Sequence, residues 1–209
     1  MSNVSRSNGF QPLRHLFGLP FASCVTRVFA PASSSDAIFI GDLVEVIVNP
    51  STEGTIHRGK DISGFLHVQR STSIEFSTLG VVVGVQSTPE ALHLKHRPAS
   101  TAAFLDVLTD QNIVYEIEED ALVTPITYTG IGLNFGLTFT AGSTITGLSD
   151  IKIDSDSVST SNTVAVKVLK LVDRKDNDFN KEGAGSDPGR FEVMFNRPLY
   201  LNHTKTGVS

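Results

Sequence analysis

The stretch VAVKVLKLV, residues Val164 to Val172, alternates large apolar side chains with small or charged ones. In an extended chain successive side chains point to opposite faces. Val164, Val166 and Val168 therefore share one face, with Ala165 and Lys167 on the other. Such alternation marks a sheet that is buried on one side. Runs of the same character recur in both directions along the chain: Leu43 to Val48 (LVEVIV), Leu79 to Val85 (LGVVVGV), Leu92 to His96 (LHLKH), Phe104 to Leu108, Ile113 to Ile117 (IVYEI), Leu133 to Phe139, Ile151 to Ile153 and Phe191 to Phe195 (FEVMF). They are short, and Gly, Pro, Ser, Asp and Asn separate them. Helix has its best case over Ala99 to Leu108, where TAAFLDVL reads as readily as strand. The prediction is an all-β protein, an antiparallel sandwich or barrel, with no βαβ units.

Composition narrows the functional classes. Charged residues make up 19% of the 209 positions, below the roughly 25% of an average domain, and surfaces that dock onto protein tolerate that. The net charge is −5 and there is no run of Lys or Arg, so a direct grip on nucleic acid is not expected. A single cysteine, Cys24, offers neither an internal disulfide nor a cysteine zinc site, and reads as a small core residue. No run approaches the roughly 18 apolar residues of a membrane span. Met1 to Asn8 is polar and lacks the apolar stretch of a signal peptide, so synthesis in the cytosol is expected.

The chain divides into an expected extended N-terminal arm, residues 1–24, and a single β body, residues 25–209. The arm carries Phe10, Leu13, Leu16, Phe17, Leu19 and Phe21 without a helical or strand period, and Pro12, Gly18 and Pro20 interrupt it. So much free Phe and Leu would be sticky in water, so the arm is expected to lie along another chain. Ser155 to Thr163 reads as a polar loop. Asp173 to Gly189 reads as a long loop carrying both signs of charge, with Arg174 and Lys175 as its first cations.

Several motifs invite a chemical reading and fall short of it. Gly130, Gly132 and Gly136 lack the GxGxxG spacing, and no helix follows. His93 and His96 point to opposite faces if they lie on a strand, which rules out a shared metal there. Asp176, Asp178, Asn180 and Asp187 approach the spacing of a calcium loop, but Lys181 occupies the position of the turn glycine and the last ligand is not Glu. Glu116, Glu118, Glu119 and Asp120 could serve as paired carboxylates for glycoside hydrolysis. Without any Trp to build a sugar platform, they read better as a solvated strand edge. No GxSxG context or Ser/His/Asp order stands out. The chain is therefore expected to be no enzyme and to need no cofactor or metal.

Four segments carry a resemblance: NGFQPLRHLFGLPF (Asn8 to Phe21); GVVVGV with LHLKHRPASTAAFLDVLTDQNIVYEIEED (Gly80 to Val85, Leu92 to Asp120); GSTITGLSDIKIDSDSVSTSNTVAVKVLKLVDRKDND (Gly142 to Asp178); and FEVMFNRPLY (Phe191 to Tyr200). Together they resemble virion structural proteins of tailed bacteriophages, of the capsid decoration or cement type. YEIEED, TGLSDIKID and FNRPLY are the most specific parts, and Gly54 to Phe76 lies outside the likeness. The resemblance implies a protein on the outer surface of the phage head. It would bind the major capsid protein across capsomer boundaries and associate with its own copies, as a trimer ahead of a dimer. Phe10, Leu13, Leu16, Phe17 and Phe21 would be its apolar anchors, with Arg174 and Lys175 at a polar rim. A receptor- or glycan-binding module of a tail or spike is the alternative.

Overall fold

The computed structural model describes residues 3–47, 56–73, 78–87, 92–120, 124–161, 164–179 and 188–196. In chain order the strands are β1 (Gln11–His15), β2 (Val25–Ala30), β3 (Leu43–Val46), β4 (Ile56–His57), β5 (Lys60–Asp61), β6 (Val68–Arg70) and β7 (Thr78–Val85). They continue as β8 (Ala103–Leu108), β9 (Ile113–Glu118), β10 (Asn134–Thr138), β11 (Lys152–Ser159), β12 (Val166–Leu171) and β13 (Arg190–Phe195). Two antiparallel sheets pack into a sandwich-like body, with strand orders β1-β9-β13-β12-β10-β11 and β2-β8-β7-β3-β6. β4 and β5 form a separate hairpin.

Alternation explains which faces meet. Ile113, Tyr115 and Ile117 of β9, Phe191 and Val193 of β13, and Val166 and Val168 of β12 turn inward. There they join Leu43, Val81 and Leu108 from the second sheet in one core. The period of two breaks in β12. A bulge falls between Val168 and Lys170, so Leu171 returns to the core while Lys170 reaches Glu192 on the outer face, 3.0 Å away. One inserted residue exchanges the faces of everything after it.

The second sheet curls until its edges touch. Phe29 bridges His67 in parallel, and the Phe29 N–H donates to the Leu66 carbonyl at 2.9 Å. Val28, Val44, Val68, Leu79, Leu105 and Val107 form the fully buried cluster of this sheet. Beside it lies Arg97, fully buried. Its guanidinium donates to the carbonyls of Pro31 (2.5 Å), Asp36 (2.6 Å) and Thr101 (2.6 Å), and main-chain bonds between Arg97 and Ile38 run both ways. One side chain thus satisfies several loop carbonyls that water cannot reach.

The described residues correct several expectations. The body does not begin at Val25: Gln11–His15 pairs with β9 as an edge strand of the first sheet. Phe10 lies in the core, edge-on to Tyr115 at 5.8 Å and 4.8 Å from Phe195. Beside it the segments of Gly9 and Gly41, both with positive φ, approach closely, and Phe10 N–H donates to the Gly41 carbonyl. A Cβ on Gly9 would lie 2.5 Å from that of Ser149, so only glycine fits this close approach. Leu92 to His96 is turn and bend: Leu92, His93 and Lys95 face solvent, and only His96 is buried, stacked on Phe39 at 4.9 Å. Ser155 to Ser159 extends β11, since Gly136 N–H and the Asp120 carboxylate engage Ser157 and Ser155. Ala103–Leu108 is strand, and Thr160 to Thr163, Asn180 to Asp187 and 197–209 lie wholly or partly outside the described residues.

Candidate interaction surface and the cluster that holds it

The apolar residues that β1 does not bury gather just beyond it. Leu13 is 39% exposed, Leu16 41%, Phe17 75% and Leu19 53%, whereas Phe21 packs partly against the main core. Phe17 stands at the tip of a tight turn. Gly18 N–H donates to the His15 carbonyl at 3.0 Å, and a φ of 73° at Gly18 lets the chain reverse. Phe17 N–H donates to His15 Nδ1 at 3.0 Å, and the two rings lie 5.7 Å apart. The exposed ring is therefore carried on a hydrogen-bonded mount.

That mount has a buried foundation. His15 Nε2 lies 3.2 Å from Asp110 Oδ2, and the Cys24 thiol donates to the same oxygen at 3.4 Å. Asp110 Oδ1 accepts from Asn112 N–H at 2.7 Å. Because Nδ1 accepts from Phe17, the proton of the neutral imidazole sits on Nε2 and points at Asp110. Burial works to raise the Asp110 carboxyl; the bonds from Asn112, His15 and Cys24 together outweigh it, and the group is held below its ordinary value. The cluster ties the end of β1, the 3₁₀ turn Phe21–Cys24 and the β8–β9 turn together.

The same three side chains offer donor atoms within 4.8 Å of one another, of types that zinc accepts. The hydrogen bonding does not fit a metal. A ion on Nε2 requires the proton on Nδ1, where the Phe17 N–H already points, so binding would unseat the turn. Nor is the trio arranged as an activated cysteine: the thiol donates to a carboxylate, His15 Nδ1 accepts from Phe17 N–H, and the Nε2 proton points at Asp110. Sequence reading misses this cluster because its members come together only when β1 pairs with β9.

The acidic run on β9 is also corrected. Glu116, Glu118 and Glu119 are buried: the N-terminal residues and the loop after β12 cover Glu116 and Glu118 on the outer face, and Glu119, just past β9, is enclosed by the segments of Ile126 and Gly189. Arg174 and Arg190 both donate to Glu116, at 2.6 and 2.8 Å. Glu118 accepts from Ser5 Oγ and Arg6 N–H and pairs with Lys152 at 3.3 Å. Arg190 also donates to the Arg6 carbonyl. Asn3 and Asp178 exchange two bonds of 2.7 and 2.8 Å. Arg174 is thus paired with the body through Glu116 while remaining exposed, as Lys175 is. Asp178 spends its N–H on Asn3, and Asn180 and Asp187, the other positions of the calcium-like spacing, lie outside the described residues.

Glu119 differs from its neighbours. Its two oxygens accept from Ile126 N–H (2.7 Å) and Gly189 N–H (2.8 Å). Burial pushes its carboxyl up to about 7, against those two bonds and with the help of Asp120 and Glu118. Burial likewise raises Asp42 despite Arg70. The protonated form of Glu119 is the one that folding favours, so its contribution is complete below the ordinary value of 4.5 and is lost as pH rises towards about 7. Chemical unfolding at a series of pH values is expected to show stability falling across that window. The slope should flatten in Glu119→Gln; an unchanged slope in the variant would assign the effect elsewhere.

No protein-family model, curated protein or solved structure matches the chain. Among the described residues no helix is long and apolar enough to cross a membrane.

Proposed function

We propose that the protein is a non-enzymatic decoration protein of a tailed-bacteriophage head, synthesised in the host cytoplasm and carried on the outer surface of the shell. It binds the major capsid protein across capsomer boundaries and associates with its own copies, as a trimer ahead of a dimer. The observation that carries this reading is the mounted apolar knob: Phe17, three-quarters exposed, held by His15 and flanked by Leu16 and Leu19. A rigid aromatic anchor loses little conformational freedom on docking, and such residues dominate binding energies. The resemblance of YEIEED, TGLSDIKID and FNRPLY supplies the partner. The net charge of −5 favours the outside of a shell whose interior is lined by DNA. Pro12 and the bulge after it blunt the open edge of β1, which favours docking through side chains over strand addition.

A reconstruction of the particle with the chain traced is the direct test. Icosahedral positions on the outer head, with Phe17 seated in a groove of the capsid protein or a neighbouring copy, are expected. Density inside the head or only at the tail would overturn the reading. Phe17→Ala is expected to weaken attachment about tenfold or more at every salt concentration, from the roughly 1.5–3 kcal/mol of a buried aromatic. Lys175→Glu should have a smaller effect that fades as salt rises.

A further inference from the structure

A second site lies between the N-terminal segment and the loop after β12. There a cavity of about 100 Å³ is lined by Arg6, Arg174 and Arg190, with Asn8 and Asn177, and Asp176 is its one acidic wall residue. The lining is cationic in a chain whose net charge is −5. The three guanidinium groups are not equally committed. Arg190 is spent on Glu116, Glu118 and the Arg6 carbonyl. Arg174 gives one nitrogen to Glu116 and holds Asp176 only at 3.8 Å. Arg6 touches its neighbours through its main chain, donating N–H to Glu118 at 2.7 Å. Its side chain has no hydrogen bond or ion pair among the described residues, and neither has the Asn8 amide.

We propose that this cavity binds a small oxyanion, a phosphate or carboxylate group. The Arg6 fork and the uncommitted nitrogen of Arg174 would grip it, with Asn8 as a neutral donor. The volume has room for several waters, or one such group in their place. Guanidinium forks match the paired oxygens of both groups. Glu116 and Glu118 lie behind Arg190 and fix the floor, so a ligand would meet a preorganised wall. The same chemistry is presented by a free anion and by an acidic side chain of a bound protein, and the site stands independently of the capsid reading.

The test uses the whole protein in a buffer free of other oxyanions at constant ionic strength. Inorganic phosphate and acetate are titrated separately while amide shifts are followed by NMR. Saturable shifts at Asn3, Arg6, Asn8 and Asn177 are expected with at least one probe. Arg6→Gln, which leaves every main-chain bond intact, should weaken binding about tenfold, as the loss of one charge-assisted bond implies. Lys167→Gln, exposed on β12 and outside the cavity, should leave it unchanged. Adding phosphate to a mixture of protein and heads separates the sources: displacement assigns the site to an acidic side chain of the partner, and undisturbed attachment to a free anion. Absence of saturation with both probes, equal binding by Arg6→Gln, or an equal loss in Lys167→Gln would each overturn the proposal.

Discussion

Phe10→Ala is expected to destabilise the protein by about 3–5 kcal/mol, the range for emptying a core aromatic site. The ring is 1% exposed and packs against Tyr115 and Phe195, so its removal leaves a void between a strand from each end of the chain. Backbone anchors on both sides, Gly41 behind and β9 ahead, prevent the segment from collapsing into that void. Such a loss is a large share of the roughly 5–15 kcal/mol that holds a typical domain together. Deleting residues 1–21 should be worse, since it also strips β1 from β9 and uncovers the carboxylates beneath Ser5 and Arg6. Denaturant unfolding of both variants is the measurement. A truncated protein as stable as the full chain would show that residues 1–21 are an appendage after all.

Arg190→Met is expected to cost a similar amount, about 3–5 kcal/mol, by a different route. Arg190 and its partners Glu116 and Glu118 are nearly shielded from water, with side chains 10%, 7% and 2% exposed. Glu116 also stands directly across from Glu192 in the β9–β13 register, where like charges repel. Removing the guanidinium leaves Glu116 with Arg174 alone and Glu118 with Lys152, Ser5 and Arg6 N–H, each short of a charged partner in that setting, and frees the Arg6 carbonyl of its donor. The double variant Glu116→Met with Arg190→Met should recover part of the loss, because removing both charges also removes their desolvation cost. Equal instability in the single and double variants would show that Arg190 acts through packing alone.

Where the sequence succeeded and where it failed have the same cause, the range of the interactions involved. Alternation is local, and it located β3, β7, β8, β9, β10, β12 and β13 within a residue or two. The bulge after Val168 leaves no local mark, so the exchange of faces at Leu171 was not legible. The N-terminal segment shows Pro12, Gly18 and Pro20, which looks like an unstructured arm. Its strand exists because β9 receives it, and its core residue because Phe195 waits for it. EIEED reads as a wet edge for the same reason. Glu118 finds Arg6 and Arg190 across 112 and 72 residues, and no window of sequence contains both ends of such a pair. Of the interaction surface, the apolar anchors were visible as composition. The division of labour among them, Phe10 inward and Phe17 outward, follows only from the turn that His15 organises.

The position of β13 bears on how the protein is made. Among the described residues it is the last strand in the order of synthesis, yet it lies between β9 and β12 in the middle of its sheet. A ribosome must release residues beyond Phe195 before that sheet can be completed, and until then β9 and β12 each present an unsatisfied flank. Nascent chains in that interval display the edges on which misassembly starts. Contacts so distant in sequence also make for slow folding. The curled second sheet draws all five of its strands from residues 25–108 and can assemble earlier, so the two halves of the sandwich are completed at different times.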